Sequence, residues 1–196
     1  AAEEDDDARR KMIVETIHQR SVSLGRLLDQ MLSRALVMHR SDSVRREVVD
    51  LRDVALEVME DEDHRLLSPG REVHLVIDDG PVRALADGPS LVEAVKNLLQ
   101  NALKHGKGVV HIGASRADGN SCIWVQDEGE GPPKEVQGAL GQRFTRSAAS
   151  KGDSAGLGLS IAKSVAEAFD GQFVLDARGG NGFRATIVLA AMGEEE

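Results

Sequence analysis

Residues 87–106 read DGPSLVEAVKNLLQNALKHG, and this stretch decides the fold. Wound as a helix at about 100° per residue, Leu91, Val95, Leu98, Leu99 and Ala102 gather on one face. Glu93, Asn97, Asn101 and Lys104 gather on the other, within an arc of roughly 80°. The apolar face predicts a helix laid on a sheet. The polar face presents two amides, a carboxylate and an ammonium. Asn is a poor residue for a plain exposed helix, because its side chain competes for backbone hydrogen bonds. Its amide oxygen suits a hard cation such as Mg²⁺, which keeps most of its ligands as water and phosphate oxygen. Ser90-x-x-Glu93 offers a capping box near the helix start, just after Asp87-Gly88-Pro89. An ordinary solvated helix face explains the Asn pair taken alone, so its meaning depends on the motifs further along the chain.

Downstream, SCIWVQD reads as an extended segment ending at Asp127, followed by Gly129 and Gly131. A carboxylate there accepts a hydrogen bond from an exocyclic amine, and the glycines let backbone come close to a flat ring. That combination reads adenine and rejects guanine, although Asp-x-Gly-x-Gly alone is also an ordinary turn. Arg143-Phe144-Thr145-Arg146 comes next, then Gly156-Leu157-Gly158-Leu159 ahead of SIAKSVAEAF. Glycines opening a helix leave free N–H groups at its positive end, where phosphates bind. The helix has its own apolar stripe (Ala162, Val165, Ala166, Phe169), and Gly171 is the expected C-cap. Residues 145–155, rich in Ser, Ala, Gly and Asp, read as a flexible lid.

Taken in order, these motifs resemble the N, G1, F and G2 boxes of the ATP-binding domain of sensor histidine kinases. That domain belongs to a superfamily shared with gyrase and the mismatch-repair ATPases, and the likeness runs from about residue 50 to 190. It implies ATP or ADP with Mg²⁺ as ligands and Asn101 as the metal ligand, with Asn97 and Lys104 near metal and phosphates. It also implies Asp127 on the adenine amino group, with Gly129 and Gly131 shaping the ring pocket. Phe144 and Arg146 would belong to the lid, while Gly156, Leu157, Gly158 and Leu159 would form the phosphate loop. Asn97, Lys104 and Arg146 are the residues implied in catalysis, and Thr186 would close the pocket from the last strand. The chain departs from the family pattern at His105, where Tyr is common and where the ring would stack on or line the pocket. It also departs at Pro132, usually aliphatic, and at Ala185, usually aromatic.

The expected fold is α/β, a two-layer sandwich with a mixed sheet covered on one face by helices and preceded by a long N-terminal helix. EVHLVI, VRALA, VVHIGASR, SCIWVQD, QFVLDAR and FRATIVLA are the strand candidates, with helices over 50–66, 89–105 and 157–170. The chain has 196 residues with 3% aromatics and no Tyr, which leaves an aliphatic core. A net charge of −9 argues against nucleic acid as a partner. One cysteine, Cys122, permits no internal disulfide and suits a reducing cytoplasm. No run approaches the roughly 18 apolar residues of a membrane span, so any membrane attachment is expected through segments upstream.

Residues 1–45 read differently from 46–196, which form the expected catalytic ATP-binding domain. Val14, Ile17, Ser21, Leu24, Leu28, Met31, Ala35 and Met38 recur at spacings of three and four, a seam for packing along another helix. The resemblance places this segment as the second helix of a dimerisation hairpin, followed by a linker. It also implies a homodimer and a response-regulator partner in a phosphorelay. An amphipathic helix on its own domain remains the other reading. No histidine stands in the family's usual acceptor context. His64 has the His-to-Pro spacing to Pro69 but follows VALEVMEDED inside the ATP domain, and His18 in ETIHQRSVSL has no second hairpin helix after it. The chain begins without Met, so the expectation is a piece of a longer protein whose acceptor helix lies upstream, unable to phosphorylate itself. A serine kinase or anti-sigma switch on the same ATP fold, and a non-catalytic signalling module, remain open alternatives.

Overall fold

The computed structural model describes residues 46–61, 68, 70–131, 158–177 and 182–193. Along the chain these form β1 (Glu47–Asp50), α1 (Leu51–Glu60), β2 (Val73–Ile77), β3 (Arg83–Ala86) and α2 (Gly88–His105). They continue with β4 (Val110–Ala117), β5 (Asn120–Asp127), α3 (Gly158–Ala168), β6 (Gln172–Ala177) and β7 (Phe183–Ala190). The expected long helix at residues 1–45 lies outside the described residues.

Five strands form one sheet in the order β2-β4-β5-β7-β6. Only β2 and β4 run parallel, so the sheet is mixed as expected. The alternation of apolar residues in FRATIVLA sets its two faces. Phe183, Ala185, Ile187 and Leu189 are buried, and the last three join Ile123, Val125, Ile112 and Ala114 in the core. Over that face lie the apolar stripes of the helices: Leu51, Val54 and Val58 from α1, Leu91, Val95 and Leu98 from α2, Ala162 and Val165 from α3. Burying an aliphatic side chain of this size contributes about 1.5–3 kcal/mol, which makes this layer contact the main source of stability. On the opposite face the Trp124 ring lies under the Arg184 guanidinium, 3.8 Å from its centroid, and Arg184 Nε donates to Gln126 Oε1 at 2.8 Å.

Three local expectations change. VRALA forms β3, but it pairs antiparallel with the unforeseen β1 in a separate two-stranded ribbon, tied to the main sheet's end by a bridge between Ala84 and Ala191. With four residues and an apolar inner side of Ala84 and Ala86, β3 reaches only a short partner. The cap of α2 is Asp87, which accepts from Ser90 N at 2.9 Å and from Ser90 Oγ; Ser90 is a donor inside the first turn. At the end of α3 the left-handed residue is Asp170 (φ 58°). Gly171 is required for another reason, because a Cβ there would strike the Val188 carbonyl of β7.

Candidate functional site

The polar stripe of α2 faces outward as its periodicity requires. Asn97 and Asn101 are half-buried, while Glu93, Lys104 and His105 are exposed. Asn97 Nδ2 donates to the Glu93 carbonyl at 2.8 Å and to its carboxylate at 3.0 Å, which fixes the amide with its oxygen turned away from Glu93. The Asn101 amide makes no hydrogen bond to another described residue, and Lys104 makes no ion pair among them. A half-buried amide with no partner among the described residues has acceptor capacity to spare there.

Asp127 ends β5, paired with Val110 and Phe183, and is 6% exposed. Its Oδ1 accepts from Gly129 N at 2.7 Å and from Lys107 N at 3.2 Å. Its other oxygen takes no hydrogen bond among the described residues. An ionised carboxylate held by two backbone donors on one oxygen is oriented, with the second oxygen left as an acceptor. The glycines around it are there for close approach. A Cβ on Gly106 would strike the Asp127 carboxylate, one on Gly129 would lie 2.6 Å from Oδ1, and one on Gly131 would strike the Phe183 ring. Gly131 also has φ 71°, a left-handed conformation that other residues resist.

Gly158 opens α3 beside α2, where a Cβ would stand 3.4 Å from the Asn97 carbonyl oxygen and 3.7 Å from its Oδ1. The helix start therefore abuts the Asn97 turn of the polar stripe. Leu159 turns its side chain to the core, leaving only its backbone for a ligand. Arg143, Phe144, Thr145, Arg146, Gly156, Leu157 and Pro132 lie outside the described residues. Thr186 is not brought to the other groups. It pairs with Trp124 and Val174 and points with Arg184 to the face away from the helices, while Phe183 is the β7 residue beside Asp127.

His105 sits at the end of α2. Partial burial of its ring, with the Lys104 charge beside it, pushes its pKa below the ordinary value. A histidine with a folded pKa below its unfolded value contributes stability above about pH 6.5, and loses it as pH falls through the folded pKa. Two-dimensional NMR is expected to show His105 titrating below that value, and its replacement by Gln is expected to flatten the acid side of the stability curve.

The model for histidine kinase-, DNA gyrase B- and HSP90-like ATPases matches residues 86–192, more than half of the chain. The chain belongs to this ATPase family. Sensor histidine kinase YkoH of Bacillus subtilis is 30% identical over 178 residues, covering 89% of this chain and 38% of that protein. Alginate biosynthesis sensor protein KinB of Pseudomonas aeruginosa is 25% identical, covering 93% of this chain and 31% of its own length. The chain thus spans between three-tenths and two-fifths of the length of these curated relatives. Among solved structures, the mycobacterial sensor histidine kinase MprB superposes with a TM-score of 0.63 at 27% identity, over 74% of this chain and 98% of that one. Within the ATPase family, the domain is of the sensor histidine kinase type. No helix among the described residues is long and apolar enough to cross a membrane.

Proposed function

We propose that this chain is the ATP-binding catalytic domain of a two-component sensor kinase, transferring the γ-phosphate of ATP to a histidine for relay to a response-regulator aspartate. The observation that carries the reading is Asp127: a buried carboxylate at a strand end, gripped on one oxygen by Lys107 and Gly129 and without a hydrogen bond on the other among the described residues. The free oxygen accepts from the adenine amino group, while Gly129 and Gly131 admit the ring edge. His105 lines the same rim as a neutral ring.

Phosphoryl transfer is mostly positioning and charge neutralisation. The amide oxygen of Asn101, which has no hydrogen-bond partner among the described residues, would hold Mg²⁺ as a neutral hard ligand, and the bound cation would supply charge neutralisation to the phosphates. No group of three or more His, Cys, Asp or Glu able to hold a metal occurs among the described residues. Asn97 orients beside Asn101, and the Lys104 ammonium offsets charge developing on the γ-phosphate. Gly156, Leu157, Gly158 and Leu159 offer backbone N–H groups to phosphate oxygens at the start of α3. Phe144 and Arg146 belong to the lid over the nucleotide, with Arg146 adding a second cation. An imidazole nitrogen of the acceptor forms the new P–N bond as the bond to the leaving ADP oxygen breaks, and the ring releases its proton. Histidine is favoured over serine as acceptor because YkoH and MprB bear sensor histidine kinase names.

The test is incubation with γ-labelled ATP, alone and with an acceptor hairpin carrying the phosphorylatable histidine. Acid-labile, base-stable label on the added histidine is the expected result. Acid-stable phosphoserine, or label on His18 or His64 of this chain alone, would contradict it. Residues 1–45 contribute the second hairpin helix and linker of a homodimer, with the domain working in the cytoplasm. Leu24→Glu with Leu28→Glu puts like charges along that seam. Sedimentation is expected to shift toward monomer, with ATP affinity unchanged.

A further inference from the structure

We infer that Arg71 is a positioning residue for base recognition, acting on Asp127 through the loop at residues 106–108. The inference rests on reading the Asp127 pocket as the ATP site.

Arg71 lies two residues ahead of β2, half-buried, and reaches across to the C-terminal end of α2. Its Nη1 donates to the carbonyls of Leu103 at 2.8 Å, Gly106 at 3.0 Å and Ala102 at 3.3 Å. Its Nε donates to the Gly108 carbonyl at 3.1 Å. The last carbonyls of a helix have no partners within it and carry its negative end, so a guanidinium placed there is both cap and counter-charge. The remaining nitrogen, Nη2, is buried without a hydrogen bond among the described residues. A buried, unpaired N–H is unfavourable, so the group is held by its other four contacts.

Those contacts fix both ends of the loop that holds Asp127. Between Gly106 and Gly108 stands Lys107, whose N–H donates to Asp127 Oδ1 and whose carbonyl accepts from Glu128 N at 2.9 Å. Gly106 lies directly against the same carboxylate. Arg71 therefore sets where the loop sits, and the loop sets which way the open oxygen of Asp127 points. Lys at this position keeps the charge but lacks the planar fork needed to join the helix end to Gly108.

Arg71→Ala and Arg71→Lys would be titrated with ATP and GTP beside the wild type and Arg52→Ala, an arginine whose side chain pairs with Asp50, the N-cap of α1, and makes no contact with Asp127 or its loop. Amide exchange at Lys107 would be followed in parallel by NMR. Both Arg71 variants are expected to bind ATP about tenfold more weakly, as when a charge-assisted hydrogen bond is misaligned. They are also expected to show a smaller ATP-to-GTP preference and faster exchange at Lys107. Arg52→Ala is expected to keep wild-type affinity and preference. A folded Arg71→Ala with the wild-type preference and wild-type exchange at Lys107 overturns the inference. Should Arg71→Ala fail to fold, the same outcome in Arg71→Lys overturns it. A wild type without preference for ATP overturns the reading of the pocket instead, and the Lys107 exchange then reports on the Arg71 clamp by itself.

Discussion

Asp127→Asn is expected to weaken ATP binding by about ten- to a hundredfold, the equivalent of one charge-assisted hydrogen bond of about 1.5–3 kcal/mol. The substitution is isosteric, so the loss comes from hydrogen-bond polarity. Oδ1 already accepts from Lys107 and Gly129, and the second oxygen is the open acceptor. An Asn side chain has one oxygen and one NH₂ for these two places. With its oxygen inward it turns a donor toward the adenine amine; with its nitrogen inward it sets a donor against two backbone donors. Either orientation loses binding. Guanine carries an oxygen where adenine carries its amine, so the variant is also expected to narrow the gap between ATP and GTP. Calorimetry on both nucleotides checks this, and an unchanged ATP affinity in a folded Asp127→Asn would remove the residue from base recognition.

Asn101→Ala is expected to abolish most of the Mg²⁺ enhancement of ATP binding while leaving the fold intact. The Asn101 amide makes no hydrogen bond among the described residues, so its removal orphans no described partner. Ala is also the better helix former by a few tenths of a kcal/mol, so stability is expected to hold or rise slightly. That separates a metal role from a structural one. Titrations with Mg²⁺ and with EDTA measure the enhancement directly, and a variant that keeps it in full would show that the cation is held elsewhere.

The helices and most strands were legible because their signals are local. The 3.6-residue stripe of α2 and the two-residue alternation of β7 each require only their own residues; both elements formed, and α2 buries its expected face. Alternation also contained a warning about Thr186, which shares its parity with Arg184 and lies opposite the core residues Ala185 and Ile187. The resemblance drew it to the pocket; the pleat puts it on the other face. Partnership across the chain was not legible. EVVD is too short to announce β1, and nothing near it names VRALA as its partner. Arg71 reads as an unremarked charge before a strand, because its four carbonyl partners lie more than thirty residues away, beyond any local period. Gly171 reads as a helix stop, yet what demands glycine there is the Val188 carbonyl of a neighbouring strand. Gly106 does cap α2, and the space its missing side chain vacates belongs to the Asp127 carboxylate, twenty-one residues on in the chain.

The family, the open Asp127 oxygen and the Asn stripe all converge on one claim, that this domain selects adenine nucleotides in a metal-dependent way. Isothermal titration of the whole chain with ATP, ADP and GTP, each with and without Mg²⁺, tests it most directly. The account predicts saturable binding of ATP and ADP, strengthened by Mg²⁺ for ATP, with GTP weaker by at least about tenfold, the worth of the one hydrogen bond that guanine cannot make. Equal affinity for ATP and GTP, or no binding of either, would contradict it.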